Sequence, residues 1–168
     1  GLGDVYKRQH TTLEYKNMIK KVRNVRPDIS ITSDFIIGYP GESNECFEET
    51  LDLIEQIGFD DGYSFIYSKR PGTPASSEPD NISISEKKKR LSLVQDLIRT
   101  NSEKYLSKLV GTSQEVLIEG TSKTDPMKLF GRTFTNKIVN FRGSTDLIGQ
   151  IIDVKIIGSN RSSLDGVL

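Results

Sequence analysis

The stretch "ISITSDFIIGYPGE", Ile29 to Glu42, decides how the first two-thirds of this chain folds. Ile29 and Ile31 alternate with polar residues, and Phe35, Ile36 and Ile37 then follow without a break. Such a run predicts a strand buried on both faces of its sheet, the pattern of parallel α/β architectures. Gly38, Pro40 and Gly41 end the run, and Ser43 is placed to cap a helix. Glu45, Glu48 and Glu49 suit that helix's positive N-terminal end. Phe47, Leu51 and Ile54 give it an inner face, and Gly58 stops it.

Working outward, Tyr15, Met18, Ile19 and Val22 fall at helical spacing before the strand, and Pro27 ends that pattern. After Gly58 comes "GYSFIYS", a second strand whose Phe65, Ile66 and Tyr67 read as core. Ser83 and Glu86 then form a capping box before a long helix, with Leu91, Val94, Ile98, Tyr105 and Leu109 along one side. The order is helix, strand, helix, strand, helix, which are alternating units of a parallel sheet or barrel. No opening strand precedes the first helix, so the segment reads as the later part of a larger barrel.

After Gly111 the period changes. "SQEVLIEG", "KLFGRTFT", "KIVNF" and "QIIDVKIIG" are short β-rich runs separated by Gly, Asp, Pro and Ser, which suits a small OB-like barrel. The expected boundary lies near residues 108–112. Residues 1–9, "GLGDVYKRQ", show no period and read as a non-native start.

The chain is 35% hydrophobic and 27% charged, as ordinary globular proteins are. No apolar run approaches the roughly 18 residues of a membrane span, and the expectation is a soluble, cytoplasmic protein. A single cysteine, Cys46, excludes an internal disulfide and cannot by itself hold an iron–sulfur cluster or a structural zinc. Beside Phe47 it reads as a small buried hydrophobe. The lone histidine, His10, has no neighbour to act with. Net charge is zero but uneven: His10 to Ile84 has 7 Lys/Arg against 13 Asp/Glu, and Ser85 to Lys108 has 7 against 3. The "EKKKR" run, Glu86 to Arg90, reads as the solvated side of its helix before it reads as a phosphate track.

Two loops stand where ligands bind parallel sheets, beyond the carboxyl ends of strands. "GYPGE", Gly38 to Glu42, would offer backbone amides and anchor a polar group through Glu42; its plainer reading is a tight turn. "SKRPGTPA", Ser68 to Ala75, would hold Arg70 as a planar donor for carboxylate or phosphate, with Pro71 and Pro74 limiting the loop's freedom. In the barrel, Arg132, Lys137, Phe134 and Phe141 mix cations with aromatics, as RNA-gripping barrels do, although small barrels also need aromatics for their cores.

In this order, "SDFIIGYPGES", "YSFIYSKRPGTPA", "VLIEGTSKTDPMKLFGRTFTNKIVNF" and "LIGQIIDVKI" resemble the MiaB-type tRNA methylthiotransferases, radical-SAM enzymes that end in a TRAM domain. The likeness runs from about His10 to the end of the chain. It implies residues 10–108 as the C-terminal part of a radical-SAM partial (β/α) barrel and 109–168 as TRAM. The family adds a methylthio group to C2 of an isopentenylated adenosine beside the tRNA anticodon. It uses S-adenosylmethionine and two 4Fe-4S clusters, one of them held by a CxxxCxxC motif. This chain contains neither set of cysteines, so it is expected to supply no metal ligand and no catalytic residue, and to be inactive alone. The implied partners are tRNA, at its anticodon stem-loop, and the missing N-terminal half of the same enzyme. The implied cofactor contacts are Gly38, Tyr39, Pro40, Gly41, Glu42, Ser68 and Arg70. The implied RNA contacts are Arg70, Thr73, Lys128, Arg132, Asn136 and Phe141. Two other readings stay open: a relative acting on another tRNA base or a ribosomal protein, and a free-standing RNA-binding TRAM protein.

Overall fold

Thr11 fixes the start of the first helix, α1 (Thr12–Val25): its hydroxyl accepts from the Glu14 amide, and the Glu14 carboxylate accepts from the Thr11 amide at 2.7 Å. This reciprocal pair satisfies two donors that a helix end leaves open. The structure, a computed structural model, describes residues 11–123 and 125–168. The expectations for residues 1–9 and for His10 lie outside the described residues.

After α1 the chain forms β1 (Thr32–Ile37), α2 (Asn44–Ile57) and β2 (Asp61–Ile66). The two strands pair in parallel, from Thr32 opposite Asp61 to Ile37 opposite Ile66. A parallel pair needs a long crossover, and α2 supplies it. Ser43 caps α2 by accepting from the Cys46 amide, and Gly58 ends it in the left-handed conformation at φ 60°. At the base of the sheet, Asp60 ties the strands together: its carboxylate accepts from the Ile31 amide at 2.7 Å, and its own amide donates to the Ile31 carbonyl. The long helix α3 (Ile84–Leu109) follows a single 3₁₀ turn at Pro74–Ser77.

The strands are not buried on both faces, as the Phe35–Ile37 run led us to expect. Phe35 and Ile37 are buried with Phe47, Ile54, Ile57, Phe59, Val94 and Ile98, while Ile36 is 59% exposed. Phe65 likewise is 55% exposed and Tyr63 70%. Side chains alternate across a strand, and all three helices contribute apolar residues to the one cluster on the Phe35–Ile37 side. Cys46 also departs from expectation: it is exposed, because the inner face of α2 is the Phe47–Ile54–Ile57 stripe and Cys46 lies off it.

The remaining strands are β3 (Ser113–Thr121), β4 (Leu129–Thr133), β5 (Ile138–Phe141), β6 (Ile151–Ser159) and β7 (Ser163–Val167). They close into a five-stranded barrel in the order β3-β4-β5-β7-β6, with β3 also paired to β6. All pairings are antiparallel except β5 with β7, the arrangement of an OB-like barrel. Its core is Val116, Ile118, Leu129, Val139, Phe141, Val154, Ile156 and Leu164. β7, "SLDGV", was not anticipated, since Asp165 and Gly166 are poor strand formers. Its pairing with both β5 and β6 closes the barrel. Compactness divides the chain between Ile98 and Arg99, inside α3 and before the change in sequence period, because Leu106 belongs to the barrel core. No helix among the described residues is long and apolar enough to cross a membrane.

Phe141 is 1% exposed. Phe141→Ala is expected to cost the barrel about 3–5 kcal/mol through lost burial and a residual cavity, read as a lowered urea midpoint.

Candidate functional site

Because β1 and β2 run parallel, the loops that follow them leave the same edge of the sheet, as their positions in the sequence suggested. The β2 side continues one residue further, where the Tyr67 amide donates to the Ile37 carbonyl at 2.8 Å.

The "GYPGE" turn is held from within rather than left open. Gly38 adopts φ 72°, and a Cβ there would come within 2.6 Å of the Lys87 side chain, which lies across it. The Gly38 amide donates to Glu42 Oε2 at 3.0 Å, so Glu42 closes its own turn. The same oxygen accepts from Arg90 Nη1 at 2.8 Å. Arg90 further donates to the Glu42 carbonyl, to Asn44 Oδ1 at 2.6 Å and to Glu86 Oε1, and its guanidinium lies 5.1 Å from the Phe47 ring centroid. The Arg90 and Glu42 side chains are only 5% and 11% exposed. A buried ion pair tolerates desolvation best when further hydrogen bonds satisfy its members, and here all three guanidinium nitrogens donate and Glu42 Oε2 accepts twice.

Two expectations are corrected by this geometry. Glu42 does not present a carboxylate to a ligand, and Gly38 does not offer open backbone, since Lys87 occupies that space. Nor is "EKKKR" wholly a solvated face: Lys87 and Arg90 are each 4% exposed, while Lys88 and Lys89 are exposed. The Lys87 ammonium pairs with Asp80 at 2.7 Å. A signal for this was present in the sequence. Positions 87 and 90 extend the apolar stripe of Leu91, Val94 and Ile98 back by one turn, so their side chains had to point inward.

Of the other expected cofactor contacts, Tyr39 is half-buried, with its ring edge-on to Tyr67 at 5.2 Å, and Pro40 is buried. Gly41 is exposed, with open space where a Cβ would stand. The Tyr67 hydroxyl is buried without a hydrogen-bond partner among the described residues. Tyr67 was read only as a strand residue, and nothing in its sequence context marked that hydroxyl.

In the second loop, Arg70 to Thr73 form a turn with Pro71 and Gly72 at its centre, Gly72 at φ 81°. The Thr73 amide and hydroxyl both donate to the Arg70 carbonyl, at 3.2 and 2.8 Å. This is the type II pattern, for which Pro and then Gly are the fitting residues. Ser68, Arg70 and Thr73 are all exposed, and the Arg70 guanidinium has no ion-pair partner among the described residues.

On the barrel, Arg132 and Asn136 come together. Arg132 donates to Asn136 Oδ1 at 3.0 Å and pairs with Glu119 at 3.3 Å, and Asn136 holds the turn at φ 62°. Lys128 reaches Asp165 at 3.5 Å. Lys137 is 7% exposed and lies over the Tyr105 ring. Phe141 is corrected as an RNA contact: its ring fills the core and has no face for a base. The exposed aromatic of this segment is Phe134, at 78%.

Among the described residues no group of three His, Cys, Asp or Glu could hold a metal ion, and the chain's only thiol is Cys46. These residues do not fit an iron–sulfur cluster.

Residues 107–168 match the TRAM domain model. The chain is 54% identical, over 162 residues and 96% of its length, to a tRNA-2-methylthio-N(6)-dimethylallyladenosine synthase of Yersinia pestis (strain Pestoides F), covering 34% of that protein. Proteins of the same name from Haemophilus influenzae (strain PittGG) and Actinobacillus succinogenes are 53% identical over 160 residues, 95% of this chain and 34% of theirs. The resemblance to MiaB-type tRNA methylthiotransferases is thereby borne out along nearly the whole chain. The chain spans about a third of the length of the curated relatives it matches.

Removing one partner of a buried ion pair strands the other. Arg90→Ala is expected to cost the first unit about 3–5 kcal/mol and to speed hydrogen exchange at the Gly38 amide. Arg90→Lys, which keeps the charge but loses the fork, should fall between. Asp80 behaves differently. The hydrogen bond from Lys87 holds its carboxyl below the usual Asp range. The stability this contributes is present above that range and is lost as pH falls through the lowered value. Asp80→Asn should therefore lower the melting temperature at neutral pH and cease to matter in strong acid.

Proposed function

We propose that this chain works within a tRNA-modifying methylthiotransferase, one that adds a methylthio group to C2 of N6-isopentenyladenosine next to the anticodon. The observation that carries this reading is identity above 50%, continuous through both units, with proteins named as synthases of that modified nucleoside. In this reading β1, α2, β2 and α3 belong to the radical-SAM partial (β/α) barrel, and the TRAM barrel helps to hold the tRNA anticodon stem-loop in the cytoplasm.

Within that reading, the first unit's own residues do positioning work. Arg90 and Glu42 fix the turn beyond β1, and the Arg70 turn holds a guanidinium out at the neighbouring strand end. A guanidinium suits the carboxylate of S-adenosylmethionine or a tRNA phosphate equally well. Gly41, Ser68 and Arg70 are the expected contact residues that remain open to a ligand. S-adenosylmethionine, when bound, supplies the radical chemistry. The iron–sulfur ligands come from outside this chain, and no step is assigned to its single thiol.

Two measurements test this. In a complete homologous enzyme, Arg70→Ala is expected to weaken S-adenosylmethionine or tRNA affinity roughly tenfold, since a charge-assisted hydrogen bond contributes about 1.5–3 kcal/mol. Unchanged affinity for both would remove Arg70 from the site. The chain alone, incubated with isopentenylated tRNA, S-adenosylmethionine and reductant, should yield no methylthio nucleoside by mass spectrometry. A methylthiolated product would overturn the assignment of the clusters to other residues.

A further inference from the structure

We propose that the outward face of β4 and its following turn, Phe130–Arg132–Phe134, is a stacking ladder for single-stranded RNA. The proposal rests on the RNA-binding reading above and names the contact surface within it.

Along β4 the side chains alternate: Leu129 and Thr133 are buried, with Gly131 between them, while Phe130 and Arg132 are only half-buried on the other face. Phe134 comes one step beyond and is 78% exposed. Successive outward residues of a strand lie about 7 Å apart, roughly twice the 3.4 Å rise per nucleotide of a stacked strand. The ladder therefore suits splayed nucleotides better than a duplex. Its three groups are the kinds on which unstacked bases rest, aromatic rings and an arginine plane. In OB-like barrels the second and third strands form the oligonucleotide-binding face, and β4 and β5 occupy those positions here.

Each rung is held before any ligand arrives. The turn carrying Phe134 is closed by the Thr133 amide to the Lys137 carbonyl at 2.9 Å and the Asn136 amide to the Thr133 carbonyl at 2.8 Å. The Lys137 amide adds a bond to the Thr133 hydroxyl at 3.0 Å. Arg132 is fixed between Glu119 and Asn136, yet its side chain remains 39% exposed. Phe130 stands opposite Gly120 in the β3–β4 register, and a Cβ on Gly120 would lie 3.3 Å from its ring. Glycine at that position leaves the Phe130 ring room on the surface. Such preorganisation lowers the entropy lost on binding.

Charge favours the same occupant. Ser122 to Arg142 carries five Lys/Arg against one acid, Asp125. Lys137 is buried, Arg132 and Lys128 are paired with Glu119 and Asp165, and Lys123 and Arg142 are the exposed cations that this segment offers a polyanion. An apolar protein surface would meet the aromatics but not those cations.

The test is fluorescence anisotropy of the 168-residue chain with a labelled stem-loop RNA, and with a blunt duplex of the same stem. Phe134→Leu keeps apolar bulk but removes the π face; Phe134→Tyr keeps both. Stem-loop affinity is expected to fall about five- to a hundredfold in Phe134→Leu and to stay near parental in Phe134→Tyr, with weak duplex binding insensitive to either. Position 134 being exposed, urea midpoints of both variants should match the parent. If the parent binds the stem-loop and Phe134→Leu binds it equally well, the ladder is wrong while RNA binding stands. If the parent does not bind the stem-loop at all, RNA binding by this barrel and the ladder fail together.

Discussion

The strand-end face of the first unit depends on one buried guanidinium. Arg90 donates to four oxygens, two of them on Glu42, whose carboxylate also takes the Gly38 amide. Through that one carboxylate, a residue far along the chain sets the shape of a turn whose own sequence looks self-sufficient. The effect is electrostatic as much as steric. Low surrounding polarity strengthens each hydrogen bond and makes each missing partner costly, so the turn is held firmly in one arrangement. Lys87, laid across Gly38 and tied to Asp80, covers the space that a glycine would otherwise leave open.

This changes what the glycines of "GYPGE" are for. Gly38 is needed because the backbone turns to φ 72° beneath a lysine stem, and the motif's carboxylate faces inward. The open chemistry at this edge falls to the neighbouring loop, where a type II turn presents Arg70 with little conformational freedom to lose. One loop is a fixed support and the other carries the exposed cation. In the barrel the same division recurs: Phe141 is core and Phe134 is surface, although both are phenylalanines within eight residues of each other.

Much of the fold was legible because its signals are local. Ser43, Gly58 and the Phe47–Ile54 stripe mark α2 by capping chemistry and period, and the alternation in "SQEVLIEG" marks a barrel strand whose Val116 and Ile118 point inward. The family resemblance was legible too, from motif order. The site was read less well. Glu42 looked available because its partner lies 48 positions away, and Arg90 looked solvated because a run of cations usually is. Phe141 looked as exposed as Phe134 because only strand parity and barrel closure distinguish them.

By itself, then, the sequence determined the helices and every strand but β7, the change from α/β to all-β, and the resemblance to tRNA methylthiotransferases. Caps, turn residues and periods act over a few positions, and motif order needs no coordinates. Only the tertiary structure decided which side of β1 is covered, which cations of α3 are buried and which aromatic of the barrel faces out. Those outcomes depend on what packs against each side chain from distant parts of the chain, and burial is where a charge or a ring acquires its role.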